Sequence, residues 1–274
     1  MDTGETLARK AEQYCADRRC ELAVRALREL AAREPRNSAA AYQLGICLSG
    51  GCVQHSLTDP HRALPWFLAA LSANPGSERE ERAKILSALG SAWTRCTRFP
   101  RAERVPPAVR CHEEAAGIYL TARRFEDWAR ERYNAGVARC DLAAEQPHLW
   151  RQAIEDFRNA LLIRTRARDP RQHAATLQNL GTAYRSLPRE SGTGGLANAL
   201  NCYRAALGVY RAEHDPAGLA AVHNNIGNVW ICLSAGGGRH GERRARYALR
   251  HFDRALGFDQ GPAHRRDRAA ALFN

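Results

Sequence analysis

Several groups of residues have types and spacings that invite chemistry. Cys47, Cys52, His55 and His61 lie close together, and thiolates and imidazoles are zinc ligands. Cys-x4-Cys-x2-His is not a standard zinc spacing, however, and Cys47 falls on the core side of its helix, so no metal is expected. Cys111 and His112 suggest a thiol–imidazole dyad, but neighbours on a helix point in different directions. His112 reads instead as a core histidine. Cys15, Cys140, Cys202 and Cys232 read as packing residues. The glycine-rich Ser191–Gly195 segment lacks the Lys-Ser/Thr of a phosphate loop and follows no strand. Gly-x-Ser-x-Gly and His-Glu-x-x-His are absent. The sequence thus predicts no catalytic residues and no cofactor; the chain is not expected to be an enzyme.

Two further sets suit binding. Asn134, Asn179 and Asn225 each stand two residues before one position of a repeating pattern, and Asn274 continues the series. Gln178, Thr182, Arg185, Asn224 and Asn228 are their neighbours. A carboxamide both donates and accepts, so it can pair with a peptide backbone without reading its sequence. It can equally tie adjacent helices together, because buried amides must find partners. The second set is arginine: Arg95, Arg98, Arg101 and Arg104 in one cluster, Arg239, Arg243, Arg244 and Arg246 in another, with Arg265, Arg266 and Arg268 beyond. Guanidinium groups suit phosphates and carboxylates. A nucleic-acid surface needs a continuous basic stripe with stacking aromatics. These clusters offer little beyond Phe99 and are interspersed with acidic residues, which favours a solvated arginine-rich edge over a nucleic-acid site.

The elements that must position these residues are helices. The 274-residue chain is 45% apolar but only 7% aromatic, so its core must be rich in Ala and Leu, both strong helix formers. Nine cysteines at uneven spacings, without a leader-like apolar stretch at the start, read as reduced thiols. Lys10 and Lys84 are the only lysines among 41 basic residues, and the net charge is +12. That imbalance is expected of a GC-rich, bacterial genome and explains part of the charge without a partner. No run of about 18 apolar residues suggests a membrane span; a cytoplasmic location without membrane contact is expected.

A signature of an apolar residue followed by glycine recurs at Leu44-Gly45, Leu89-Gly90, Ala135-Gly136, Leu180-Gly181 and Ile226-Gly227, in steps of 45, 46, 45 and 46 residues. After each glycine comes Ala, an aromatic four later and Ala three after that: Ala63, Phe67, Ala70; Ala153, Phe157, Ala160; Ala199, Tyr203, Ala206; Ala248, Phe252, Ala255. In the third copy His112 holds the aromatic place between Ala108 and Ala115. Residues three and four apart share a helix face. Each period therefore holds a helix A with the glycine and a helix B whose small residues allow close approach while its aromatic fills the remaining groove.

This pattern resembles the tetratricopeptide repeat family. Leu7, Ala11, Tyr14, Ala23, Leu27, Leu30 and Pro35 match its first repeat, with 34 residues from Ala11 to Gly45. Asn74-Pro75 closes the second repeat in the family manner. Later repeats carry inserts between helices A and B, at 49–60, 97–107, 143–148, 186–195 and 234–244, all read as loops from one edge. The roughly 45-residue repeats look like bacterial arrays fused to caspase-like (CHAT) peptidases or signalling modules. The resemblance implies an all-α, right-handed α-solenoid of antiparallel helix pairs across 1–274, with repeats at about 4–37, 38–80, 81–126, 127–171, 172–217 and 218–262, and a further one begun at 263–274. It also implies that helix A lines a concave face where asparagines bond a bound peptide's backbone. The expected function is therefore a protein–protein interaction scaffold. The alternatives are a regulatory or sensor segment of a larger effector and, less favoured, a nucleic-acid-binding solenoid. Because the chain stops where another Asn-x-Gly would begin, continuation into a longer chain or end-to-end self-association is expected.

Overall fold

The computed structural model describes residues 3–50, 59–74, 76, 78–188, 194–235 and 238–259. These form twelve helices: α1 (Gly4–Ala16), α2 (Cys20–Arg33), α3 (Ser38–Leu48), α4 (Pro60–Ala73), α5 (Arg79–Arg95), α6 (Arg101–Thr121), α7 (Phe125–Leu142), α8 (Leu149–Leu161), α9 (Pro170–Arg185), α10 (Gly194–Ala212), α11 (Pro216–Ser234) and α12 (Gly238–Asp259). They fall into two compact units, 1–142 and 143–274. In the first, α1–α2, α3–α4 and α5–α6 pack as consecutive pairs, and α7 follows against α6. In the second, α8 packs on α9, and α9–α10 and α11–α12 form pairs. The all-α architecture of consecutive helix pairs is the one that the repeat pattern implies.

Local chemistry explains where helices begin and end. Asp59, Asp169 and Asp215 each precede a proline, and each carboxylate accepts a backbone N–H of the first turn, from His61, Gln172 and Gly218 at 3.0, 2.9 and 2.9 Å. The carboxylate satisfies an orphan donor, and the proline occupies the one stretch where its missing N–H costs nothing. Asn37 caps α3 in the same way, through the Ala40 N–H. Three interhelix turns share one C-terminal design. Arg18, Arg123 and His214 take φ of +57°, +56° and +53°. The next residue's N–H reaches back to the carbonyl of Tyr14, Tyr119 or Tyr210. This is a Schellman turn built on a non-glycine residue.

The glycine signature is a packing device. A Cβ built on Gly45 would come within 2.6 Å of the Phe67 ring, on Gly181 within 2.7 Å of Tyr203, and on Gly227 within 2.5 Å of Phe252. On Gly90 it would lie 2.8 Å from His112 Nε2. Helices α3, α5, α9 and α11 thus each present a bare backbone patch to the ring of the helix that follows. Ala63, Ala70, Ala108, Ala115, Ala199 and Ala206 flank those rings and are fully buried.

The inserts at 97–107 and 234–244, read as loops, are largely helical. Residues 101–107 form the start of α6 despite Pro106 and Pro107, and Arg239, Arg243 and Arg244 lie in the opening turns of α12. Pro75, Cys52, His55, Ser191, Arg265, Arg266, Arg268, Asn274 and the start of the further repeat at 263–274 lie outside the described residues.

Candidate functional site

The glycine register fixes where helix A points its other side chains. At about 100° per residue, a position two before the glycine lies some 160° from it, directed away from helix B. Asn179 on α9 and Asn225 on α11 hold that position; Asn134 precedes Gly136 on α7 by the same two residues, and all three are half-buried. Positions three before and one after the glycine lie nearer the partner helix, and on α9 the structure uses them there. The Tyr210 hydroxyl donates to Gln178 Oε1 at 3.3 Å. Thr182 Oγ1 lies 3.0 Å from the Tyr203 hydroxyl and also bonds the Gln178 carbonyl. Gln178 and Thr182 are therefore occupied in binding α9 to α10. Arg185 is half-buried beside Tyr203, whose hydroxyl is pushed up by burial, an effect that Thr182 and Arg185 partly offset. On α11, Asn224 is exposed and Asn228 half-buried.

The arginines of the anticipated basic edge divide into three kinds. Arg98 pairs with Asp59 at 3.2 Å, and Arg101 with Asp141 at 3.0 Å, so acidic neighbours offset their charge. Arg104 does not belong to a solvent edge. It is 7% exposed, donates to the Thr94 carbonyl at 2.6 Å and pairs with Asp141. Its charge meets the orphan carbonyls at the C-terminal end of α5, where a cation is favoured. Arg244 repeats the device, donating to the Leu233 carbonyl of α11 at 2.8 Å. Arg243 stacks over Tyr247 at 5.9 Å, and Arg239 is exposed.

The first unit also holds a buried polar cluster that the sequence reading did not find. His112 on α6 and Glu131 on α7 are 1% and 0% exposed, with His112 Nδ1 2.7 Å from Glu131 Oε2. Ser87 on α5 donates to Glu131 Oε1 at 2.7 Å, and Arg130 Nε to the same oxygen at 3.0 Å. Burial alone would push the Glu131 carboxyl upward. The bonds from His112 and Ser87 and the Arg130 charge outweigh it and hold the group below its ordinary 4.5. Glu131 is therefore an anion, and His112 donates its Nδ1–H. Arg130 and Arg124 both stack on Tyr119, at 5.8 and 5.5 Å, and both pair with Asp127. A signal for Glu131 existed in the sequence. It stands five residues before its glycine, the register of Ala40, Ile85, Thr176 and Val222, all of which are buried.

The thiols and histidines fall into place around this frame. Burial raises the Cys111 thiol to about 11, and His112 is engaged with Glu131 rather than with it. Among the described residues, no three of His, Cys, Asp and Glu converge as a metal site would require. In the second unit His223 on α11 and His251 on α12 bring their Nδ1 atoms to 2.9 Å, with Phe258 stacked on His223 at 5.9 Å. Burial, the facing imidazole, Arg254 and Arg211 lower His223 to about 4; burial, Arg254 and Arg204 lower His251. No helix among the described residues is long and apolar enough to cross a membrane.

No model of a known protein family matches the sequence. No curated protein matches it either. Solved structures do resemble it. The crystal structure of MamA protein is 15% identical, covering 77% of this chain and 95% of its own, with a TM-score of 0.57. A second MamA crystal structure is 17% identical, covering 78% and 98%, with a TM-score of 0.54. A tetratricopeptide repeat protein from Parabacteroides merdae is 13% identical over 99% of both chains, with a TM-score of 0.42. At these identities the MamA likeness is one of fold.

Proposed function

We propose that this chain is a protein-binding scaffold without catalytic activity of its own, and that the helix-A face of its second unit receives an extended segment of a protein partner. Arrays of stacked helix pairs generally serve as such scaffolds, because each pair adds another strip of side chains to a long surface. The observation that carries the reading is the register of Asn179 and Asn225. Both stand about 160° from the glycine that faces helix B and are half-buried. The amide can donate to a peptide carbonyl and accept from a peptide N–H, which favours backbone over side-chain recognition. Asn224, exposed on the same helix as Asn225, would lie at the margin of that contact.

The test is affinity capture from the source lysate with and without nuclease, using wild type and Asn179→Ala/Asn225→Ala. A specific protein held by wild type regardless of nuclease, and lost by a double variant of unchanged melting temperature, is the expected result. Recovery of nucleic acid, or capture unchanged in the double variant, would overturn the reading.

A further inference from the structure

The first unit contains a pair of thiols that neither the repeat pattern nor the binding face requires. Cys15 on α1 and Cys47 on α3 place their sulfurs 3.7 Å apart. A disulfide has an S–S length of about 2.05 Å, so closure needs under about 2 Å of movement. The two helices are the A members of consecutive repeats, so a bond here would join repeat one to repeat two across the intervening α2. The sulfurs also differ in access. Cys47 is 2% exposed within the core that holds Leu44, Phe67 and Leu86. Cys15 is half-buried and lines a cavity of about 360 Å³ that it shares with Ala11, Glu12, Leu27, Asn37 and Gln43. Cys20, the next thiol in the chain, is buried and directed to the Arg18 carbonyl at 3.2 Å.

We propose that Cys15 and Cys47 are an oxidisable pair that closes into a disulfide, with hydrogen peroxide as oxidant. The Cys15 thiolate attacks one peroxide oxygen and breaks the O–O bond. The product is a Cys15 sulfenic acid, and the departing hydroxide takes up the thiol's proton as water. Cys47 then attacks the Cys15 sulfur. The S–S bond forms as the S–O bond breaks, and the second hydroxide leaves as water with the Cys47 proton. The pair loses two electrons to the peroxide and two waters are released. Cys15 is the attacking sulfur because it borders the cavity through which a small oxidant arrives; Cys47 resolves it from the core side. The closed bond pins the wall of that cavity, so the spacing of the first two A helices becomes a function of redox state. This proposal stands independently of the peptide-binding reading.

The experiment is peptide mapping of the full chain after hydrogen peroxide treatment, alkylation of remaining thiols and digestion without reductant. The expected product links the Cys15 and Cys47 peptides, with two of the nine thiols lost. Cys15→Ser and, separately, Cys47→Ala should each abolish that link while retaining the helical circular dichroism of wild type. The Cys15→Ser variant changes a half-buried group and keeps the test valid if the core substitution fails to fold. Oxidation that ends at a Cys15 sulfinic acid, a dominant Cys15–Cys20 or Cys47–Cys52 link, or no loss of thiols would each overturn the proposal.

Discussion

The third and fifth repeats fill the same slot with different chemistry. In the fifth, Gly181 on α9 faces the Tyr203 ring of α10, and the tyrosine hydroxyl meets Thr182 on that same α9. The polar atom is satisfied inside the pair. In the third, Gly90 on α5 faces His112 of α6, and the imidazole reaches out of its pair to Glu131 on α7. Glu131 in turn takes a bond from Ser87 on α5. The slot prescribes a flat ring of a certain size, and both residues supply it. What the ring carries at its edge decides whether a repeat is self-contained or tied electrostatically to the next helix. A repeat signature therefore specifies shape, and the polar edge of the ring specifies coupling.

The sharpest break of this comparison is at Glu131. Glu131→Ala would leave the buried His112 and the half-buried Ser87 without their partner, a loss of roughly 3–5 kcal/mol. Adding His112→Phe to Glu131→Leu should recover most of it, converting the third slot to the apolar form of the second. Urea denaturation of the single and double variants checks both statements. Next in size is Gly181→Leu, which drives a side chain into the Tyr203 ring; roughly 1–3 kcal/mol should be lost, read as a lowered melting temperature.

Acid separates the two units. His223 and His251 have folded values below the ordinary 6.5, with His223 near 4, so the unfolded chain takes up protons first as pH falls. Stability from this pair is complete above about 6.5 and drains away between there and about 4. Glu131, held below its ordinary 4.5, contributes stability that is present above that value and lost only in stronger acid. The His pair is flanked by Arg204, Arg211 and Arg254, which sharpen the penalty for a second charge. Hydrogen exchange at pH 5 should therefore open α11 and α12 before α5 to α7, and His223→Phe should remove the difference. The smallest expected effect is at the turns. His214 is exposed with a φ of +53°, where a side chain costs about 1 kcal/mol, so His214→Gly should raise stability by up to that amount in the same denaturation assay.

Much of this fold was legible because its period is carried by residues with no substitute in packing. Gly45, Gly90, Gly181 and Gly227 meet rings that would clash with any Cβ, so the beat survives while neighbouring residues change. The insert at 97–107 misled because its prolines and arginines are usual loop residues. Here Arg104 anchors that stretch to the end of α5 and the helix begins early. Arg18, Arg123 and His214 gave no turn signal, since glycine is the usual residue at that backbone angle. Glu131 was missed because a charged residue on an Arg- and Glu-rich helix reads as solvated; only its alignment with Ile85 and Val222 exposes it as buried. Of the anticipated binding residues, Gln178 and Thr182 proved to serve the α9–α10 contact, which follows from their angular distance to the glycine. The His223–His251 pair depends on a contact between two helices that no spacing within one helix could announce.

The most direct test of the binding account is site-specific photocrosslinking. A benzophenone amino acid is placed at Asn224, exposed on helix A of the last pair, and in a parallel sample at Ala205, exposed on helix B of the pair before it. Each protein is irradiated in source lysate with nuclease present. The account predicts a discrete protein adduct from position 224 that is lost when Asn179→Ala and Asn225→Ala are added, and none from position 205. Equal adducts from both positions, or an adduct from position 224 that is indifferent to the two asparagines, would contradict it.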